Sequence, residues 1–194
     1  MGSPATKPSL ESTLQRIWTR RGAGAWLLLP LSLLYVALST FRRLLYRTGI
    51  LPIHRIRVPV IVVGNVIAGG AGKTPTTIAI VQHLQSQGHR VGVISRGYGR
   101  KSQNIQEVFA DAAPELAGDE PLLIQRKTSV PVFVAHTRYQ AAQALLARYP
   151  DTELIICDDG LQHFSLYRDL EICVFDDRGC GNGWLRSEER RVGK

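Results

Sequence analysis

Cysteine is scarce in this sequence. There are three in 194 residues, Cys157, Cys173 and Cys180, with no CxxC spacing and no paired histidines beside them. That argues against a disulfide scaffold or a zinc ribbon and leaves reduced thiols in a cytosolic compartment as the simplest reading. Acidic residues are nearly missing from positions 1–57, which hold nine Lys/Arg and one acid, Glu11. A basic excess is missing from the remainder: positions 58–185 carry eleven Lys/Arg against thirteen acids, and positions 186–194 carry four against two. The net charge of +8 therefore belongs to the N-terminal arm. A uniformly basic nucleic-acid-binding domain is disfavoured, and no nucleic acid is expected as a partner. A basic arm beside an apolar stretch points instead to an anionic membrane surface. Internal repeats and low-complexity tracts are also lacking. With 44% hydrophobic and 21% charged residues, the composition is that of one globular domain plus an appendage.

What the arm does contain is AWLLLPLSLLYVALSTF, seventeen residues at 25–41 without a charge, preceded by Arg16, Arg20 and Arg21 and followed by Arg42, Arg43 and Arg47. The polar segment 1–13 before it reads as a frayed end. A spanning helix needs about 20 apolar residues, so the run is borderline. Ser32, Ser39, Arg43 and Arg47 recur at helical spacing and make its second half amphipathic. An interfacial or shallowly inserted helix fits this pattern first, a single span second and a signal peptide third, with a buried core helix as the plain structural alternative.

From residue 58 the pattern becomes alternating strands and helices. Strands are expected at Val58–Val63, Val91–Ser95, Gln106–Ala110, Val130–Ala135, Leu154–Cys157 and Leu170–Phe175. Helices are expected at Thr74–Ser86, Gly118–Arg126 and Thr137–Tyr149. This spacing implies an α/β fold, a mostly parallel sheet flanked by helices of the P-loop NTPase kind, with ligands bound beyond the carboxyl ends of the strands. Between the first strand and its helix lies Gly64-Asn65-Val66-Ile67-Ala68-Gly69-Gly70-Ala71-Gly72-Lys73-Thr74. Cradling a phosphate needs successive backbone N–H groups turned inward, and glycines permit that backbone. The strict GxxxxGK[ST] pattern would need glycine where Ile67 stands, so the motif is missed by one residue. The strand–glycines–helix context still assigns nucleotide binding to Ile67, Ala68, Gly69, Gly70, Ala71, Gly72, Lys73 and Thr74. Lys73 suits the β/γ-phosphates and the Thr74 hydroxyl suits Mg²⁺. The competing reading is a glycine-rich turn with an incidental Lys-Thr.

Leu154-Ile155-Ile156-Cys157-Asp158 is an apolar run ending in an acid, the arrangement that brings a carboxylate to the magnesium beside a phosphate loop. Asp159 follows directly, and two adjacent carboxylates call for a cation or donor nearby. A simple acidic turn before Gly160 is the alternative. Asp119, in AGDEP, is a plausible helix N-cap by position alone. His163 lies near the same strand end and either contacts substrate or is structural. Arg96 and Tyr98, in a strand-end loop, either bind phosphate or sugar or form an ordinary turn.

Taken together, VPVIVVGNVIAGGAGKTP, VGVISRGYGR, AGDEP and IICDDGLQH resemble the tetraacyldisaccharide 4′-kinases of the lipid A pathway of Gram-negative bacteria, over roughly residues 14–185. The four blocks in this order are far more specific than the phosphate loop alone. The resemblance implies transfer of the γ-phosphate of ATP, with Mg²⁺, to the 4′-hydroxyl of a lipid-linked disaccharide 1-phosphate at the cytoplasmic face of the inner membrane. It implies that Lys73 and Thr74 hold phosphates and metal, and that Asp119 is the general base. It further implies that Asp158 serves the metal, that Asp159 orients the base or metal shell, and that His163 lies near the acceptor.

The sequence departs from the family after Gly181-Asn182-Gly183-Trp184-Leu185, where the family continues into a Leu-Pro-x-Gly-Pro-x-Arg-Glu segment and a second lobe. Here RSEERRVGK follows, a string resembling an in-frame sequencing-library adapter. The expected organisation is a membrane-associating arm at 1–57, an incomplete kinase domain at 58–185 and a non-native tail at 186–194. A natural divergent terminus is the alternative for that tail. Weak or no turnover is expected of the chain as written. The competing functions are another P-loop ATPase or GTPase and a nucleotide-binding remnant without transfer.

Overall fold

Runs of β-branched residues build the sheet, and their two-residue alternation decides which face each side chain covers. The structure is a computed structural model that describes residues 23–65, 72–100, 102 and 104–175. In chain order its elements are α1 (Ala23–Arg47), β1 (Val60–Asn65), α2 (Lys73–Ser86), β2 (Val91–Ser95), β3 (Gln106–Glu107), α3 (Pro114–Ala117), α4 (Asp119–Thr128), β4 (Val132–Val134), α5 (Arg138–Arg148), β5 (Leu154–Asp158) and β6 (Leu170–Val174). The strands form one sheet in the order β3-β4-β2-β5-β1-β6. All neighbours run parallel except β3 and β4, so the expected mostly parallel α/β sheet is present.

One face of the sheet presents Val63, Val93, Val132, Val134 and Ile156, which pack with Val81 of α2 and Leu122 and Ile124 of α4. The other presents Val60, Val62, Ile94, Phe133 and Ile155 to Ala141, Ala142 and Leu145 of α5. Ile155 and Ile156, adjacent in sequence and both fully buried, anchor opposite layers. Such a doubly covered strand is continuously apolar.

Several boundaries differ from the sequence expectation, and imino acids account for two of them. β1 begins at Val60 because Pro59 has no N–H to give, although its carbonyl accepts from the Ile155 amide at 2.9 Å. β4 likewise starts after Pro131. β3 is two residues long rather than Gln106–Ala110, since the chain turns at Phe109, whose carbonyl accepts from the Ala112 amide at 3.0 Å. Thr137 is the cap of α5 rather than its first residue, its hydroxyl accepting from the Gln140 amide at 3.2 Å. The expectation that Asp119 caps a helix is corrected: Gly118 holds the cap position and Asp119 is the first residue inside α4.

α1 is longer than the apolar run that foretold it, with Pro30 inside it. Its last turns dock on Phe164, where the Arg43 guanidinium lies 5.4 Å from the ring centroid and the Tyr46 ring 5.9 Å away. Arg168 covers the same ring at 5.0 Å. The connection to β1 is held by the His54 amide on the Ser165 carbonyl at 2.8 Å and by His54 stacking on Tyr139 at 4.4 Å. Ser32, Ser39 and Arg43 of the polar stripe are partly covered, whereas Leu33, Leu34, Leu38, Phe41 and Leu44 each expose more than half of their surface. No helix among the described residues is long and apolar enough to cross a membrane.

Candidate nucleotide-binding site

Because β1, β2, β4 and β5 are parallel, their carboxyl ends open on one edge of the sheet, and the loops that leave those ends form the site. Gly72 caps α2 in the left-handed region, at φ 78°, which a glycine adopts without steric cost. No side chain among the described residues caps α2, so the amides of its first turn can serve another acceptor, and the helix dipole adds positive potential there. Lys73 and Thr74 open the helix, both partly covered. Ile67, Ala68, Gly69, Gly70 and Ala71 lie outside the described residues.

The adjacent carboxylates each have the partner that their repulsion demands, but different ones. Asp158, the last residue of β5, is 1% exposed and accepts a hydrogen bond at 2.9 Å from the Thr77 hydroxyl. Asp159 is exposed, and its Oδ1 lies 2.7 Å from the Lys73 ammonium nitrogen. Burial pushes the Asp158 carboxyl up to about 6; Thr77 and Lys73 oppose the rise, while the charges of Glu120 and Asp159 add to it. Asp159 has φ 51°, an uncommon conformation for a residue with a side chain. Its backbone carbonyl accepts a hydrogen bond from Arg138 Nη2 at 2.8 Å.

The turn continues through Gly160, whose amide donates to the Val63 carbonyl at 3.3 Å. A Cβ at Gly160 would lie 2.5 Å from Cys157 Sγ and 2.9 Å from a Val62 methyl, too close without displacement of those two buried side chains. Gly160→Ala is therefore expected to destabilise the fold by about 1–3 kcal/mol, an overpacking cost. A thermal melt should register it as a fall of roughly 3–10 °C for a chain of this size; an unchanged midpoint would show that the contact relaxes freely.

His163 follows, its amide donating to the Gly160 carbonyl at 3.0 Å. Its imidazole is held down to about 4, first by burial and then by the positive charges of Arg138, Arg96 and Arg42, with Asp159 opposing. It is thus neutral at physiological pH, able to donate from one ring nitrogen and accept at the other.

Arg96 and Tyr98 lie in the exposed loop after β2, Tyr98 almost fully so. Gly97 and Gly118 meet back to back: a Cβ on Gly118 would lie 3.1 Å from Gly97 Cα, and both have positive φ. This contact brings the start of α4, with exposed Asp119, against the Arg96–Arg100 loop. Thr77, Glu120 and Arg138 are members of this region that the sequence reading did not single out. Thr77 had a signal, since four residues after Lys73 it falls on the same helix face. Arg138 and Glu120 had none, because through-space neighbours leave no spacing to read.

The donors at the strand ends are oxygens, the carboxylates of Asp158 and Glu120 and the hydroxyls of Thr74 and Thr77, a set chemically suited to a hard divalent cation. No cluster of three or more His, Cys, Asp or Glu side chains able to form a metal cage occurs among the described residues. Magnesium sites beside phosphates use one or two carboxylates and keep several waters, so this donor set fits the ion.

A family profile described as tetraacyldisaccharide-1-P 4′-kinase matches residues 24–186. Among curated relatives, a tetraacyldisaccharide 4′-kinase of Acidovorax sp. (strain JS42) is 58% identical over 185 residues, 95% of this chain and 55% of the relative. Another, from Herminiimonas arsenicoxydans, is 54% identical over 179 residues, 92% of this chain and 50% of the relative. The chain thus spans about half the length of the relatives it matches. The crystal structure of LpxK from Aquifex aeolicus in complex with ATP superposes with a TM-score of 0.69 at 36% identity, covering 80% of this chain and 53% of that one. The profile match takes in most of the chain, from within α1 to beyond β6, and on that evidence this chain belongs to the tetraacyldisaccharide 4′-kinase family.

Proposed function

We propose that this chain carries the nucleotide site of an ATP-dependent kinase that phosphorylates the 4′-hydroxyl of a tetraacyldisaccharide 1-phosphate to give lipid IVA. The observation that carries the reading is the joining of Lys73 at the head of α2 to the Asp158-Asp159 turn at the end of β5. Phosphoryl transfer asks for charge neutralisation and in-line placement more than for covalent catalysis, and these parts supply both. Lys73 exchanges the Asp159 carboxylate for a phosphate oxygen when nucleotide arrives. The uncapped first turn of α2, with the loop 67–72, receives the remaining phosphate oxygens. Thr74 and Asp158 would hold Mg²⁺, which when bound would neutralise charge on the transferring phosphoryl group.

Asp119 accepts the proton of the acceptor hydroxyl as its oxygen bonds to the γ-phosphorus and the bond to ADP breaks. Asp159, released from Lys73, orients that arrangement. Neutral His163 stands beside the acceptor, and Arg96 and Tyr98 contact its sugar or phosphate.

The acceptor's acyl chains stay in a bilayer, and α1 fits that requirement. Its outward side offers Leu33, Leu34, Leu38, Phe41 and Leu44, flanked by Arg42 and Arg47. Such a helix suits the headgroup layer, with its leucines down and its arginines on anionic lipid, and this supports reading the protein as bound at the cytoplasmic face of the inner membrane.

The test measures Mg-ATP consumption with and without vesicle-embedded tetraacyldisaccharide 1-phosphate and follows the phosphate. Label on the 4′-position of the lipid is the expected result. Hydrolysis at one rate regardless of acceptor would assign the site to another class of P-loop ATPase or GTPase.

A further inference from the structure

Arg138 stands where an arginine is least at home. It is 4% exposed, and arginine is seldom that deeply buried unless paired. It has no carboxylate partner among the described residues. It is the first residue of α5, at the positive end of the helix dipole, where a cation is disfavoured. Its Nε and Nη1 are buried without hydrogen-bond partners among the described residues. A local choice so at odds with its surroundings marks a position kept for something other than stability.

Among the described residues the guanidinium donates from Nη2 to the backbone carbonyl of Asp159, at 2.8 Å, and it also lies against the buried Cys157 thiol. Asp159 is itself in an unfavourable state, at φ 51°. The other described non-glycine residue with positive φ, Ser129, ends α4, a place where left-handed residues are routine. Asp159 has no such excuse, and a strained residue persists only where its surroundings over-determine it. On one side of the strained peptide, Gly160 is locked between Cys157, Val62 and the Val63 carbonyl. On the other, Arg138 holds the carbonyl. Between those two restraints the Asp159 carboxylate points at Lys73, 2.7 Å away.

We propose that Arg138 is a positioning residue: by clamping the Asp159 carbonyl it maintains the left-handed turn that aims the Asp159 carboxylate at Lys73. The inference rests on reading Lys73 as the phosphate-binding lysine, but its test needs neither nucleotide nor acceptor. Failure of either reading is therefore seen separately.

The test is trace acylation of the nucleotide-free protein with a small amine reagent, with the rate at Lys73 read by mass spectrometry relative to Lys127. Asp159→Asn is expected to accelerate Lys73 labelling about two- to fivefold, the worth of a half-exposed ion pair. Arg138→Met is expected to do the same, and the double variant to show no further gain, because both changes remove one device. Arg138→Lys, which keeps a donor, should restore part of the protection. A merely structural arginine would lower the melting temperature and leave the relative Lys73 rate unchanged. Parental Lys73 labelling in folded Arg138→Met, or fully additive effects in the double variant, would overturn the proposal. If Arg138→Met yields no folded protein, Arg138→Gln and Arg138→Lys carry the same comparison.

Discussion

Lys73→Met is expected to weaken Mg-ATP binding by about a hundredfold, the loss of one to two charge-assisted hydrogen bonds at about 1.5–3 kcal/mol each. The effect has two parts. The ammonium that meets the phosphates disappears from the head of α2. The Asp159 carboxylate also loses its 2.7 Å partner and stands unneutralised beside Asp158 and Glu120, so the site turns more negative where the nucleotide must bring negative charge. Lys73→Arg keeps the charge but replaces a compact ammonium by a wide planar fork, and is expected to recover only part of the affinity. Calorimetric titration of the purified chain with Mg-ATP measures this directly. An affinity within about threefold of the parent, under 1 kcal/mol, would remove Lys73 from the phosphate site.

Asp158→Asn is expected to stabilise the protein while removing Mg-dependent nucleotide chemistry. The Asp158 carboxyl is raised from 3.8 to about 6 in the folded state, chiefly by burial. Folding therefore favours its protonated form, and the ionised form carries a penalty above pH 6. That penalty fades as pH falls through 6 and is mostly gone by pH 4, vanishing only below the ordinary value of 3.8, where folded and unfolded states are both protonated. Asparagine is neutral throughout and still offers Thr77 an acceptor oxygen. The variant should thus gain about 2 kcal/mol near pH 8, from a shift of about two units at 1.36 kcal/mol each discounted for imperfect isosterism. That is roughly 4–8 °C in melting temperature, dwindling to a small fraction of that by pH 4. A melt that is no higher at pH 8, or a gain that persists unchanged at pH 4, would contradict the burial account. Buried charge of this kind is kept for function at the expense of stability.

The fold was largely legible because its strands are so apolar. Val91–Ser95 was bounded to the residue, fully buried on both faces and flanked by a turn on one side and a glycine loop on the other. Errors gathered where one residue decides a hydrogen bond, as at Pro59, Pro131 and Phe109. α3, a single turn after Ala113, carries too few residues for a period to show. In the site, the demand of Asp158 and Asp159 for a cation or donor followed from two adjacent charges alone, and Lys73 and Thr77 meet it. The separation of the pair into one buried and one exposed carboxylate did not follow. It depends on the left-handed turn at Asp159, and that turn depends on Arg138, twenty-one positions away. TRYQAAQALLARY read only as an amphipathic helix, with nothing to show that its first arginine faces inward. The AGDE block hid Glu120 in the same way, behind the more conspicuous Asp119.

The position of β1 between β5 and β6 fixes an order of events during synthesis. Val60 waits for a hydrogen-bond partner at Asp169, 109 residues further along, and its other neighbour, Ile155, emerges only slightly sooner. At about 5–20 residues per second, the apolar run Val60–Val63 spends several seconds outside the ribosome without either flank of its sheet. The glycine loop that leaves β1 has no framework to shape it until then. β2 and β4, by contrast, lie close in sequence and pair early. Half of the sheet is thus ready while the half that will hold the nucleotide is still a bare hydrophobic segment, and that interval is when a chaperone would have most to gain by holding this chain.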